Sequence, residues 1–405
     1  MLQKLVVFIM LFAFLQAKSY IISPLLPPTQ EVLSTAKSSC DTSCMHDLFN
    51  KKLYLSFLSY YKGTSDVALK ANFKVASSYL DSFVYHEDTL SDKVLRIALL
   101  MPQKLIGRYS VSTPDVVMSY LVSRGIDFNF KVFNSSDESP ENLIKAYDDL
   151  KAQNYDYVIA ILTQSGVKAL VQNVNVDRLV YVPTVNINQI DFSVPKKMVF
   201  GGIDYSAQIK LISNFAKDSS LIAYNDDSYI GMILANTLAK DDKSIIYQDT
   251  ITSKLAANYK QSLEDQEAIL DNSMVVFNTS AIKSGLIIPQ ISTLNITPKY
   301  FLSTQINYNP VLLTLTQPED VQNLLVVNAI GQTNDALMEY TSLLSGDLKY
   351  DWVNYATDIG VEMFLDLQVN NLDKFFSEPI KHNQVIYNNR FFKPKGYYFA
   401  PNTTN

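Results

Sequence analysis

The feature that most constrains this chain is an alternation that begins near residue 94 and runs twice. Short β-rich runs stand at LRIALLM (95–101), FNFKVFN (128–134), YDYVIAIL (155–162) and RLVYVPTVN (178–186). Helical segments centred near 114–124, 140–152 and 165–173 separate them, and MVFGGID (198–204) adds one more short strand. Strands that are apolar nearly throughout, with helices between them, specify βαβ units in a mostly parallel sheet covered on both faces. After Asp204 the rhythm restarts with a helix at 207–218 and strands at 220–226, 244–249, 273–278, 298–304 and 323–330. The helices between these run through GMILANTLAK and near 256–268. Two further helical stretches, NDALMEYTSLLSG and YATDIGVEMFLDL, lead to alternating aromatic strands, VIYNNRFF and GYYFAP. Two successive α/β sets joined near residue 205 predict two doubly wound lobes, with the tail returning to complete one or both.

What precedes residue 94 is different. MLQKLVVFIMLFAFLQAKS has one basic residue, Lys4, then an apolar stretch and a small residue at Ala17, the layout of a secretory signal peptide. Its apolar run is shorter than the roughly 20 residues of a membrane span. Leu15 stands where a small residue is preferred, which leaves an uncleaved anchor as the alternative. No cysteine follows closely enough for a lipoprotein site, the first being Cys40. The expected mature protein is therefore soluble and exported to the periplasm. Apolar spacing over 44–61 and again over 65–83, interrupted by Gly63, predicts two antiparallel helices with Ser65 as N-cap. Cys40 and Cys44, the only cysteines, are expected to form a disulfide in an oxidising compartment. A metal site with His46 is the competing reading and lacks a fourth ligand nearby.

Composition removes several functions. The net charge of −6 without a basic run gives nucleic acid no electrostatic footing. Only 12 glycines occur in 405 residues, and the loop PQKLIGRYS after the first strand holds one, Gly107, so it is neither a Walker cradle nor a dinucleotide fingerprint. Three histidines isolated in sequence, without a nucleophile elbow or a metal-ligand cluster, point away from an enzyme and imply no cofactor.

The order of these motifs resembles the type 1 periplasmic-binding-protein fold, as in the branched-chain amino-acid receptors and the binding-protein-like domain of LppC/LpoA-type proteins. IALLMPQKLIGRYSVSTPDVVMSYL is similar to that family's first strand, proline, short loop and helix. YDYVIAILTQSGVKAL is similar to its third strand and small-polar loop, LIAYNDDSYIGMILANTLAK to the opening of its second lobe, and NYATDIGVEMFL to its late returning helix. The resemblance covers roughly 94–400. It implies hinge crossings near 204–206, 326–332 and 380–386. The resulting division is a signal peptide at 1–17, a helical region at 18–92, lobe one at 94–204 with 330–382, and lobe two at 205–329 with 383–401.

Open α/β sheets bind ligands beyond the carboxyl ends of their strands, where loops and helix N-termini converge. In lobe one the candidates are Arg108 and Tyr109 after the first strand, Thr163, Gln164 and Ser165 after the third, and Thr184 and Asn186 after the fourth. A hydroxyl or free amide at Thr163–Ser165 suits a carboxylate; plain N-capping is the alternative. Pro183 allows an ordinary turn at Thr184, and Arg108 is equally a solvated loop charge. In lobe two, the resemblance marks Tyr229 as a cleft position beside Asp227, while Asp226 or Asp227 could simply cap the helix. Asn278 and Thr279 end another strand. Bulky Gln164, and Lys104 and Leu105 in the first loop, depart from the small residues of the amino-acid binders.

The expected function is a solute-binding-type protein closing two lobes on a small polar ligand, an amino acid or a relative, for an ABC transporter permease or an envelope sensor. The alternative is a non-catalytic envelope interaction module resembling LpoA-type regulators of peptidoglycan synthases. The N-terminal helices favour this alternative and the missing lipoprotein cysteine counts against it.

Overall fold

The computed structural model describes residues 40–79 and 94–403, apart from 243, 295, 370 and 371. The signal segment 1–17 and residues 80–83 of the expected second helix lie outside the described residues. The chain divides into two compact units, 1–84 and 85–405.

The first unit holds three short helices, Thr42–Asn50, Tyr54–Tyr60 and Val67–Tyr79. They gather Met45, Phe57, Leu58, Tyr61, Leu69 and Ala76 into a small core. The expected first helix over 44–61 is broken in two. Lys52 takes a left-handed conformation (φ 59°), and the amide of Leu53 reaches back to the Leu48 carbonyl at 3.0 Å. This is a Schellman-type stop. The sequence hid it because lysine stands where glycine is usual. The cap of the third helix is Asp66, not Ser65: its Oδ1 accepts the amides of Ala68 (2.8 Å) and Leu69 (3.2 Å). Cys40 and Cys44 are disulfide-bonded with Cα atoms 5.3 Å apart. Cys40 precedes the N-cap Asp41, so the helix itself is not distorted by the link. His46 lies 3.5 Å from Asp66.

The second unit contains two seven-stranded sheets. Five parallel strands begin the first: β1 (Leu95–Met101), β2 (Phe128–Asn134), β3 (Tyr157–Ala160), β4 (Leu179–Val182) and β5 (Met198–Phe200). Five more begin the second: β6 (Leu221–Asp226), β7 (Ile245–Ile251), β8 (Met274–Asn278), β9 (Tyr300–Ser303) and β10 (Leu324–Asn328). The tail is shared. β11 (Ile380–Lys381) and β12 (Gln384–Val385) extend the first sheet beside β5, while β13 (Arg390–Lys395) and β14 (Tyr398–Pro401) extend the second beside β10. The strand orders are β11-β12-β5-β4-β3-β1-β2 and β14-β13-β10-β9-β8-β6-β7. This is the two-lobed, doubly wound α/β arrangement expected from the alternation.

Burial follows position in the sheet. Central strands β6, β8 and β10 are buried at every residue, whereas edge strands β2 and β7 alternate, because one of their faces meets solvent. The expected helix over 256–268 splits into Ser253–Ala257, Lys260–Asp265 and Glu267–Leu270. Asn258 leaves helical geometry (φ −137°, ψ 55°), and the next residue, Tyr259, buries its ring and donates its hydroxyl to Asp249 at 2.6 Å.

The chain passes between the lobes three times, at 201–204, 329–334 and 386–389. Gln384 still pairs with Phe200, so the third passage begins after Val385. At the first, Gly202 is required: a Cβ there would sit 2.3 Å from the carbonyl carbon of Val185. Tyr387 donates to the Gly201 carbonyl, and the Gly331 amide donates to the Tyr355 hydroxyl at 3.2 Å.

After the second passage the helix Trp352–Asp366 packs against the helix Tyr109–Arg124 and against β3 and β4. Glu362 on it accepts from Arg124 (2.8 Å), Tyr120 (3.0 Å) and the amides of Phe375 (2.6 Å) and Phe376 (3.1 Å). Both partners of the ion pair are more than nine-tenths buried. One turn earlier, Asp358 is fully buried and neither carboxylate oxygen has a partner. Burial, and secondarily the nearby Glu362 charge, pushes its pKa well above the usual aspartate range.

Two predictions follow from this helix. Arg124→Ala leaves Glu362 buried without its cation and should cost about 3–5 kcal/mol in urea unfolding; a loss under about 1 kcal/mol would show that the pair does not organise the lobe. Asp358 keeps its proton in the folded state at pH values where the unfolded chain has lost it. Its contribution is therefore complete below the unfolded pKa of about 4 and declines as pH rises towards the folded value. Asp358→Asn should flatten the fall in melting temperature between mildly acidic and alkaline buffers, and an unchanged slope would contradict the assignment.

Candidate functional site at the strand ends

The carboxyl ends of β1, β3 and β4 in lobe one, and of β6 and β8 in lobe two, carry the predicted site residues. In lobe one Arg108 lies 2.9 Å from Asp351, the N-cap of the returning helix, and its guanidinium stacks on Tyr109 5.0 Å from the ring centre. Burial raises the Asp351 pKa and the Arg108 charge draws it back. Burial, followed by the Asp351 charge, lifts the Tyr109 phenol, while Arg108 opposes the shift. These three side chains form one group from loop and returning helix.

Thr163 caps the helix Gln164–Asn173, accepting the Gly166 amide at 3.2 Å. The same end of the helix already holds an anion. The Glu138 carboxylate accepts the Thr163 amide at 2.7 Å and the Thr163 hydroxyl through its other oxygen. A Cβ on Gly166 would come 2.3 Å from Glu138 Oε1, so glycine is what lets the carboxylate lie against the helix. Helix N-termini favour negative charge, and here the protein supplies its own. Gln164 donates to the Gln189 carbonyl, and Ser165 is exposed. Thr184 donates to the Leu162 carbonyl at 2.5 Å. Asn186 is buried in a capping box and donates to the Gly202 carbonyl at 2.9 Å, tying β4's loop to the first crossing.

In lobe two the helix Tyr229–Asp241 is capped by Ser228, which accepts the Gly231 amide at 3.3 Å; neither Asp226 nor Asp227 is the cap. Asp226 is buried and accepts the amides of Ser228 (2.9 Å) and Ser280 (3.0 Å). Lys283, from the helix Ala281–Ser292, stands 3.2 Å from Asp226, pairs with Asp227 and donates to the Ile251 carbonyl at 2.8 Å. Burial would raise the Asp226 pKa, but the Ser280 amide, Ser228 and Lys283 outweigh it and hold the group below its ordinary value. Burial likewise opposes the Lys283 charge, and Asp227 and Asp226 overcome it. Asn278 donates to Asn225 at 2.9 Å, and Thr279 shares a 2.7 Å hydrogen bond with Ser284. Tyr229 is 69% exposed.

Sequence reasoning missed Glu138 and Lys283, the two groups that neutralise these strand ends. Glu138 is 25 residues from Thr163 and Lys283 is 56 from Asp227, and no local pattern signals either pairing. The strand ends also expose apolar side chains: Leu105 and Val111 after β1, Tyr229 after β6, Ile282 after β8 and Val311 after β9. A cavity of about 450 Å³ lies beside Asn225 and Asp226, against Met232 and the edge strand residues Gln248–Thr250.

Neither the family models nor the curated proteins contain a match to this sequence. Solved structures do match. A putative branched-chain amino acid ABC transporter protein from Rhodospirillum rubrum aligns over 76% of this chain and 100% of its own at 8% identity, with a TM-score of 0.59. The branched-chain amino acid substrate-binding protein LivJ from Streptococcus pneumoniae, solved with isoleucine, aligns over 76% and 98% at 12% identity, TM-score 0.52. The LpoA C-domain from Haemophilus influenzae, described as a regulator of PBP1A, aligns over 76% and 99% at 9% identity, TM-score 0.51. At these identities the likeness is one of fold: the two lobes have the type 1 periplasmic-binding-protein architecture.

Glu138→Ala should cost about 0.3–1 kcal/mol in urea unfolding, the worth of an anion at a partly exposed helix N-terminus. Glu138→Gln, which keeps the acceptor and loses the charge, should recover part of it. A wild-type midpoint in both variants would mean that the carboxylate does not hold that position in solution.

Proposed function

We infer that this is an exported, non-enzymatic envelope protein that uses the two-lobed scaffold as a protein-interaction module. The observation that carries this reading is that Glu138, Arg108, Asp351, Asp226, Asp227 and Lys283 are all paired within the chain at the strand ends. A zwitterionic ligand needs a free donor set for its carboxylate and a free acid for its ammonium group. Here Glu138 occupies the helix N-terminus, Asp351 pairs with Arg108, and Lys283 pairs with both Asp226 and Asp227. Displacing any of these leaves a charged group without its partner, a cost that a ligand's binding energy has to exceed. The helix starts that follow β1, β6, β8 and β9 expose Leu105, Val111, Tyr229, Ile282 and Val311. Exposed aromatic and aliphatic side chains suit a macromolecular partner better than a small polar solute.

The structural likeness to the LpoA C-domain makes a peptidoglycan synthase the partner class to test first. A receptor for a small polar ligand is the second reading. It is favoured by the 450 Å³ cavity, whose wall includes Asn225, Asp226 and Asp249, and it would pair the protein with a transporter or sensor.

Photo-crosslinking residues placed at Val111 and Tyr229 in the exported protein should yield adducts with a membrane-anchored cell-wall synthase. Thermal unfolding against amino acids, short peptides and muropeptides at about 10 micromolar should show no shift. A ligand at 100 times its Kd adds about 2.7 kcal/mol, so a rise of several degrees with one small molecule would favour the receptor instead.

A further inference from the structure

The passages between the lobes enclose a cavity that the strand-end site does not use. It has a volume of about 290 Å³ and lies where the β11–β12 hairpin meets the first and third crossings. Its apolar wall is made by Ile187, Val385, Ile386 and Tyr387, with Ala207 opposite them at the start of the second lobe. Lys381 and His382, at the hairpin tip, line the rim. We propose that this hinge cavity is a binding site for a small carboxylate with an apolar body.

The walls are built before any ligand arrives. His382 and Asn383 both have positive φ (51° and 61°), the two-residue geometry of a tight hairpin turn, and this places Lys381 and His382 together at the tip. Gln384 accepts the Ile187 amide at 2.8 Å and donates to the Gly202 carbonyl at 3.1 Å, fixing the hairpin to lobe one and to the first crossing. Tyr387 donates to the Gly201 carbonyl. Preformed, mostly apolar walls with a few placed polar groups are the usual makeup of small-molecule sites.

Charge selects the ligand's sign. Asp204, the acid on the wall, is occupied: it accepts the Ala207 amide at 3.0 Å and the Asn188 amide group at 2.9 Å. Lys381 forms no ion pair among the described residues. Asn389 accepts from Gln208 through Oδ1 at 3.0 Å, which leaves its amide nitrogen as a donor on the same wall. An anion is therefore received by Lys381 and Asn389 while its apolar part covers Val385 and Tyr387. Because Ala207 opens the second lobe and Asn389 belongs to the third crossing, the occupant touches both.

The probe is 3-phenylpropionate, compared with uncharged 3-phenylpropan-1-ol, in ligand-observed NMR titrations of the full exported chain. The acid should saturate at about millimolar concentration, as expected for a probe of this size, and the alcohol should bind at least about tenfold more weakly. Lys381→Glu, at an exposed position, should weaken the acid about tenfold, and Ala207→Phe, which fills the cavity, should abolish binding. Both variants should keep the wild-type melting temperature. No saturable binding by about 10 mM, equal affinity for acid and alcohol, or wild-type affinity in either variant overturns the proposal. None of these readouts depends on the interaction-module reading, which can fail separately.

Discussion

The buried ion pair between Arg124 and Glu362 is the contact on which the larger unit's organisation rests. Glu362 lies on a helix that the chain makes only after finishing the second sheet, and Arg124 ends the helix that follows the first strand. The pair therefore closes a loop of 238 residues that contains most of both lobes. Its geometry meets the conditions under which a buried pair is tolerated. Four donors converge on one carboxylate, while Arg124 also donates to the Asp373 carbonyl at 2.7 Å and lies flat on Phe375. Removing one member strands the other, which gives the returning helix a single seat on lobe one.

That seat sets the positions of the crossings. Once the helix Trp352–Asp366 is docked, Tyr355 receives the Gly331 amide and donates to Glu378 at 2.6 Å. Tyr181 donates to the Ala356 carbonyl at 2.8 Å while its ring lies over Gly360. Glycine at 201, 202, 331 and 360 admits these close approaches, because a Cβ at any of them would meet a neighbour at under 3 Å. The hinge is thus a packed set of aromatic rings and backbone rather than a loose linker, and the cavity beside it inherits that rigidity.

At the strand ends the chemistry runs towards neutrality. Each acid that a sequence reader would offer to a ligand is met by a cation or a row of amides from elsewhere in the fold. Away from the strand ends, on the returning helix, Asp358 has no hydrogen-bond partner, and burial raises its pKa. The type 1 architecture is therefore present with Thr163, Asp226, Asp227 and Asp351 at its strand ends paired within the chain.

The sequence by itself determined the two α/β lobes, because buried parallel strands must read as apolar runs spaced by helices. The disulfide between Cys40 and Cys44 is likewise a local matter of four residues. It also carried the places where loops converge, since strand ends follow from strands. It did not show the Schellman stop at Lys52, whose lysine imitates no glycine signal, or the break at Asn258. Above all it could not show that Thr163 faces Glu138, that Asp227 faces Lys283, or that Arg108 faces Asp351. A side chain's type fixes what it can bond, but distance fixes what it does bond. Pairings over 25, 56 and 243 residues exist only once the strands have been ordered and the tail has returned, so whether a polar group at a strand end is free for a ligand was decided by tertiary structure alone.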